Sequence, residues 1–366
     1  MDFFATSKRK IFLNSLEIYL TSIQGLLVHL SHSFGLFPYD SGMHILVTGG
    51  AGFIGSHLCE RLVSIGHTVT VIDDFSTGLA SNLQNLANSE NFAVVEGSIL
   101  DNNVLAPLIQ KADYVFHLAA AVGVFNIVNN PLTSLQTNIR GTENVLEAAY
   151  FARIPVLLTS SSEVYGKNIS DSLRETDDRI LGSPVTLRWS YSEAKAIDES
   201  LAYAYFVEKQ LETRIVRFFN TVGPRQLGAY GMVVPRFVKA ALNNDPLTVY
   251  GDGKQTRCFA HVNDVVDAVI AIAFAENTIG KVINIGNDFE ISINDLALKI
   301  IKETESNSEI VYVPYAEAYG DGFEDMERRV PSIELINQLV GWSPKRDLTT
   351  MIADIYVEMK RTFKAG

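Results

Sequence analysis

Tyr191 and Lys195, four residues apart in Arg188-Trp189-Ser190-Tyr191-Ser192-Glu193-Ala194-Lys195, are the side chains in this sequence best suited to chemistry. On a helix that spacing puts both on one face, so an ammonium can sit beneath a phenol and favour its phenolate. Such a phenolate takes a proton from an alcohol. The serine run Ser160-Ser161-Ser162 lies upstream and offers hydroxyls to orient that alcohol.

Proton removal from an alcohol is half of an oxidation, and the other half needs a hydride acceptor. The stretch Ile45-Leu46-Val47-Thr48-Gly49-Gly50-Ala51-Gly52-Phe53-Ile54-Gly55 supplies a place for one. It reads as a strand, a turn and a helix whose first residues are Phe53 and Ile54. Gly49 permits the tight turn, Gly52 lets backbone approach a pyrophosphate, and Gly55 allows close helix packing, with the anion at the helix N-terminus. Asp73 follows Gly55 by 18 residues and ends an apolar run, with Asp74 beside it. A carboxylate there accepts hydrogen bonds from adenosine ribose hydroxyls and repels a 2′-phosphate, which favours NAD over NADP. The small residues of His117-Leu118-Ala119-Ala120-Ala121 suit a second strand end against the same cofactor.

The elements that must position these groups are short β-rich runs alternating with helical patterns: His44 to Thr48, Thr68 to Asp73, Phe92 to Glu96, Tyr114 to Leu118, Val156 to Ser160 and Arg214 to Phe218. That alternation predicts an α/β protein with a Rossmann-like, doubly wound parallel sheet over residues 43–222. Loop signals at Asn244-Asp245-Pro246, Gly251 and Gly253 introduce a more irregular region. Residues 223–366 are therefore expected to form mainly a smaller substrate-binding lobe, with later segments returning to the sheet and a last helix from Leu348 to Phe363.

The chain of 366 residues is 47% hydrophobic, enough for a sizeable core, and its formal net charge of −12 argues against wholesale nucleic-acid binding. Cys59 and Cys258 lack metal-ligand spacing and fit a reducing, cytoplasmic compartment; no metal is expected. Residues 1–42 precede the fingerprint strand and read as an extension outside the fold, with Met43 the natural start. Lys8-Arg9-Lys10 precedes an apolar-rich run, but Asn14, Glu17, Gln24 and His29 interrupt it. Leu16, Tyr19, Leu20, Ile23, Leu26, Leu27 and Leu30 fit an amphipathic helix better than a membrane span, so any membrane contact is confined to this segment.

Taken together these motifs resemble the extended short-chain dehydrogenase/reductase family that modifies nucleotide sugars. The resemblance runs from Met43 to the C-terminus through the fingerprint, Ser161-Ser162-Glu163-Val164-Tyr165-Gly166, Tyr191-x-x-x-Lys195, Arg217-Phe218-Phe219-Asn220-Thr221-Val222-Gly223-Pro224-Arg225 and Tyr250-Gly251-Asp252-Gly253-Lys254-Gln255-Thr256-Arg257. It implies Ser161 as the hydroxyl that orients a sugar C4 alcohol toward Tyr191, and Lys195 as a second grip on the nicotinamide ribose. It implies a UDP-type donor held by Asn220, by the backbone around Val249 along the base, by Arg225, and by Arg257 at a phosphate or sugar carboxylate. Ile99 stands beside the expected adenine position. A homodimer through the Tyr191 helix, with Ala196, Ile197, Leu201, Ala202 and Tyr205 on its apolar face, is also implied.

Epimerases, dehydratases and decarboxylases of this family share oxidation at C4. The Ser162-Glu163 pair and Arg188, three residues before the tyrosine, resemble the UDP-glucuronate decarboxylases. Gly322 to Ile333, which contains Arg329, is similar to the decarboxylase domain of the lipid A aminoarabinose pathway, and Leu247-Thr248-Val249-Tyr250-Gly251 is more similar to UDP-xylose synthase. The expected reaction is decarboxylation of UDP-glucuronate, with Glu163 handling the proton at C5. A 4-epimerase acting on a UDP-hexose or UDP-uronate is the alternative, and a 4,6-dehydratase follows it.

Overall fold

β-Branched runs buried on both faces make parallel strands, and a computed structural model of the chain, which describes residues 42–123, 129–228, 232–314, 317 and 328–365, forms them as expected. The strands are β1 (His44–Thr48), β2 (Thr68–Asp73), β3 (Phe92–Glu96), β4 (Tyr114–His117), β5 (Val156–Ser161), β6 (Thr213–Phe218), β7 (Thr221–Val222), β8 (Leu247–Tyr250), β9 (Thr256–Cys258), β10 (Ala260–His261), β11 (Val282–Ile285), β12 (Glu290–Ser292) and β13 (Ile310–Val313). Seven of them build one parallel sheet in the order β11-β6-β5-β4-β1-β2-β3. The six predicted runs are its first six strands; β11 returns from the C-terminal region to pair with β6, Val282 opposite Ile215.

The helices are α1 (Phe53–Ser64), α2 (Asn102–Ile109), α3 (Pro131–Ala152), α4 (Ser190–Lys209), α5 (Val233–Asn243), α6 (Val262–Phe274), α7 (Ile293–Glu303), α8 (Glu334–Val340) and α9 (Leu348–Ala365). Leu58, Cys59 and Leu62 of α1, Val265, Val269 and Ile272 of α6 and Ile336 of α8 pack on one face of the sheet. Leu105 and Ile109 of α2, Val145 and Ala149 of α3 and Ala202 of α4 cover the other. Each such buried aliphatic side chain contributes about 1.5–3 kcal/mol, so both layers are held mainly by apolar burial.

A second core joins Phe237 and Val238 of α5, Leu296 and Ile300 of α7, and Met351, Ile352 and Ile355 of α9. Three two-stranded sheets frame this lobe: β7 with β10, β8 with β13, and β9 with β12. The lobe is narrower in sequence than 223–366, because α6, β11 and α8 lie in the sheet layers. Residues from Met43 onward form one compact unit. Residues 1–41, with their expected amphipathic helix, and Gly322–Glu327 of the quoted C-terminal stretch lie outside the described residues. No helix among the described residues is long and apolar enough to cross a membrane.

Candidate active site

Strands β1 and β4 are neighbours from which the chain winds outward in opposite directions. A cavity of about 790 Å³ opens at the carboxyl ends of the strands there, the place where doubly wound sheets bind ligands. Its wall includes Gly49, Gly52, Phe53, Ile54, Gly55, Asp73, Asp74, Ile99 and Ala119 at one side, and Ser161, Ser162, Glu163, Arg188, Tyr191, Lys195, Asn220, Arg225, Arg257 and Arg329 at the other. Every predicted site residue therefore faces one space except Val249, whose side chain is fully buried in the lobe core. Alternation along β8 explains this: Tyr250, the next residue, reaches the cavity instead.

At the fingerprint the backbone itself makes the wall. Gly49 turns with φ 73°, and a Cβ there would lie 2.6 Å from the Ala119 nitrogen; a Cβ on Gly55 would lie 2.2 Å from the Gly49 carbonyl oxygen. No side chain caps the start of α1, whose first turn also carries no acidic residue, so its N–H groups remain suited to an anion. Asp73 accepts from the Ala51 and Phe75 amides at 2.9 Å each, which fixes its carboxylate at the end of β2. Burial pushes its pKa up against those two bonds. The glycine cradle, uncapped helix start and fixed carboxylate fit a dinucleotide such as NAD.

Tyr191 and Lys195 both rise from α4 and line the cavity. Lys195 Nζ donates to the Thr159 carbonyl at 3.1 Å and to Asp198 Oδ2 at 3.2 Å. The Tyr191 phenol is pushed above its ordinary range by burial first, then by the negative charges of Glu163 and Asp198, while a hydrogen bond with Ser161 opposes the shift. Ser161 ends β5 and begins the short 3₁₀ turn Ser162–Tyr165, its Oγ accepting from the Glu163 amide at 3.3 Å. That turn brings Ser161 and Glu163 beside Tyr191, while Ser162 faces Arg329.

Glu163 is clamped by two arginines, with Arg188 Nη1 at 2.8 Å from Oε2 and Arg329 Nη2 at 2.8 Å from Oε1. Arg329 Nη1 also donates to Ser162 Oγ at 3.3 Å. Burial alone would raise the Glu163 pKa, but Arg329 and Arg188 overcome it and hold the group down to about 2. Glu163 is thus an ionised anchor for two cations, whereas a proton-shuttling role would need a group poised near neutrality.

Arg225 lines the cavity, and its guanidinium is engaged within the chain. Its guanidinium donates to Glu60 Oε2 at 2.6 Å, the Asn82 carbonyl at 3.0 Å and His57 Nδ1 at 3.3 Å. His57 Nε2 donates to the Pro224 carbonyl at 3.0 Å. Burial, then Arg225, lowers the His57 pKa to about 4, keeping the ring neutral for both bonds. Arg225 therefore ties the loop after β7 to the fingerprint helix. Asn220 Nδ2 donates to the Cys258 carbonyl at 2.9 Å and joins β7 to β9 beside the cavity.

A buttress behind the site had no sequence signal. Arg217 of β6 meets Glu199 of α4 through two 2.8 Å bonds and Tyr165 through a 2.9 Å bond. Glu199 accepts from Ser160 at 2.6 Å, and Tyr165 donates to Asn284 of β11 at 2.8 Å. This buried network locks the serine turn to the Tyr191 helix. Its members are 18 to 119 residues apart, so only the folded sheet brings them together.

The family described as GDP-mannose 4,6 dehydratase matches residues 46–355. The chain is 44% identical to the UDP-N-acetyl-alpha-D-glucosaminuronate decarboxylase of Bacillus cytotoxicus over 82% of its own length and 92% of that protein's. It is 37% identical to UDP-glucuronic acid decarboxylase 1 of Xenopus tropicalis, over 82% of this chain and 68% of that one. The crystal structure of UDP-glucuronic acid 4-epimerase from Bacillus cereus, in complex with UDP-glucuronic acid and NAD, is similar at 30% identity and a TM-score of 0.79, covering 87% of this chain and all of that one. These likenesses, with the parallel sheet and the glycine fingerprint of this chain, lead to one conclusion: the chain belongs to the extended short-chain dehydrogenase/reductase family, as an NAD-dependent nucleotide-sugar-modifying enzyme of its epimerase, dehydratase and decarboxylase branch.

Proposed function

We propose that this protein decarboxylates a UDP-glucuronate-type sugar by transient oxidation at C4. The observation that carries the reading is the set of arginines at the reacting end of the cavity. Arg188, Arg257 and Arg329 face the same space as Tyr191 and Ser161, with Arg188 and Arg329 also paired to Glu163. Guanidinium groups beside a redox pair suit a sugar that carries its own carboxylate next to the oxidised carbon.

NAD⁺, when bound, supplies the acceptor for the C4 hydride. Tyr191, as phenolate, takes the C4 hydroxyl proton while Ser161 orients that hydroxyl. The product is a β-keto acid. Its C5–carboxylate bond breaks, CO₂ leaves, and the bonding electrons pass to the C4 oxygen as an enolate, which the Ser161 and Tyr191 hydroxyls stabilise. Arg188 and Arg257 hold the carboxylate before it leaves, loosely enough not to favour the ground state. A proton then returns to C5 and the hydride to C4, giving a UDP-pentose of the xylose type; release before hydride return gives the 4-keto pentose and NADH. Glu163 acts as the anion that aligns Arg188 and Arg329.

The 44% identity to a decarboxylase named for an N-acetylated uronate favours a second substrate with the same chemistry, the 2-acetamido sugar. The test is to supply NAD⁺ with UDP-glucuronate or with UDP-N-acetylglucosaminuronate and follow CO₂, NADH and the sugar by NMR. A pentose with CO₂ and no net NADH supports the closed cycle. A hexuronate epimer with its carboxylate intact replaces this reading with the 4-epimerase. Tyr191→Phe should lower kcat about 10²–10⁴-fold with NAD affinity unchanged.

We also propose a homodimer through α3 and α4. Ala202 is buried, and Tyr205 meets Tyr150 edge to face with ring centroids 6.1 Å apart, so part of the apolar face is spent within the chain. Ile197, Tyr203 and Val207 of α4 and Phe151 of α3 remain exposed. A monomeric mass by light scattering would count against the dimer.

A further inference from the structure

Asp198, three residues after Lys195, is completely buried. Its Oδ2 accepts from Lys195 Nζ at 3.2 Å, and Oδ1 has no hydrogen-bond partner among the described residues. A buried carboxylate left partly unsatisfied is costly, so its place beside the lysine of a redox pair calls for a reason.

The nearby buried polar groups are bonded to one another: the Thr142 hydroxyl and His117 Nε2 lie 3.1 Å apart. Burial, then Lys195, lowers the His117 pKa to about 3, so the ring is neutral, and its Nδ1 lies 2.8 Å from Thr48 Oγ1. Thr48 Oγ1 in turn accepts from the Ala119 amide at 3.1 Å on the cavity wall. His117, Thr142 and Asp198 are all buried, and among the described residues Lys195 is the hydrogen-bond partner of the Asp198 carboxylate. The other charged groups near the pair are Glu199, on the same helix and engaged by Arg217, and Glu163, across from Tyr191 and engaged by two arginines. Asp198 is thus the carboxylate that bonds Lys195 directly.

We propose that Asp198 is a positioning residue that anchors Lys195 and screens its charge from Tyr191, setting the lower pH limit at which Tyr191 works as a base. The inference rests on the redox role of Tyr191 and Lys195. A bare lysine ammonium favours the phenolate; an ammonium paired with a buried carboxylate favours it less. Removing the carboxylate charge while keeping its shape should therefore make Tyr191 more acidic and extend activity downward in pH.

The experiment is the pH profile of kcat/KM for Asp198→Asn and the intact protein, each saturated with NAD⁺, with the UDP-uronate that is turned over. The acid limb should move to lower pH by about one unit, the lower end of the effect of a nearby charge. A limb that stays in place while kcat falls at every pH would reduce Asp198 to a structural anchor and overturn the proposal, as would a limb moved to higher pH. If Asp198→Asn does not fold, Asp198→Ser also removes the carboxylate charge and should move the limb the same way; coincidence with the intact protein overturns the proposal. If no UDP-uronate is turned over, the decarboxylase reading fails separately. The Asp198 claim is then decided by ¹³Cζ-tyrosine NMR titration of NAD⁺-loaded protein, with the Tyr191 signal assigned by Tyr191→Phe and the phenol expected to titrate lower in the variant.

Discussion

The two walls of the cavity are built on opposite principles. The fingerprint wall is made by shape: backbone at Gly49, Gly55 and Ala119 packs so closely that a methyl group would collide with it. The wall formed by the serine turn and the lobe is made by charge, with Arg188 and Arg329 around one carboxylate and Arg257 lining the same space. A shape-made wall suits a ligand that stays the same through every turnover, and a charge-made wall suits one whose charge changes as it reacts.

The contrast is sharpest if each wall can be damaged without the other. Arg329→Met leaves Glu163 with one cation and removes one positive charge from the reacting end. It should lower kcat/KM about 10³-fold, as for breaking a buried pair, with NAD affinity by calorimetry nearly unchanged. Parallel loss of NAD binding would show the walls to be one unit. The charged wall also has a pH signature. Glu163 has its pKa depressed from 4.5 to about 2, so its pairing stabilises the fold fully above the unfolded value and is lost as pH falls through that window. The intact protein should lose about 3 kcal/mol there by denaturant melts, and Glu163→Gln should lack that component.

On the other wall, Gly55→Ala places a Cβ 2.2 Å from the Gly49 oxygen and 2.9 Å from the Gly50 Cα, both backbone atoms that cannot rotate away. NAD affinity should fall about 100-fold, with a lower Tm, and normal binding would refute the shape argument. The smallest effect is expected where the walls are tied together. Arg225→Ala should weaken NAD binding about tenfold by freeing the Asn82 turn, within the range for a partly buried ion pair. An equal rise in KM for the sugar, with NAD binding intact, would return Arg225 to the substrate.

What the sequence revealed follows the same division. The β-branched runs announced β1 to β6 almost residue for residue, because strand pattern and fingerprint spacing are local properties. The return of a later segment is expected from the sequence but β11 is not located by it, since its four residues carry no motif and it rejoins the sheet only after part of the lobe has been built. At the site, types and spacing brought Ser161, Glu163, Tyr191, Lys195 and the arginines to one cavity, but they could not give partners. The Lys195 to Asp198 pair and the two-sided clamp on Glu163 depend on which way side chains point once buried. Val249 shows the same limit in small: strand parity, not motif position, turned it into the core and gave the cavity Tyr250.

The return of β11, α6 and α8 to the sheet layers has a consequence for exchange between relatives. The C-terminal lobe is not a cassette. A chimera joined after Val222 would import β11 beside a foreign β6, α6 against a foreign α1, and with them new contacts across both layers. Exchanging sugar preference without disturbing the dinucleotide half would instead mean replacing several separate insertions, each leaving and re-entering the sheet, so that specificity in this architecture is inherited in pieces rather than in a block.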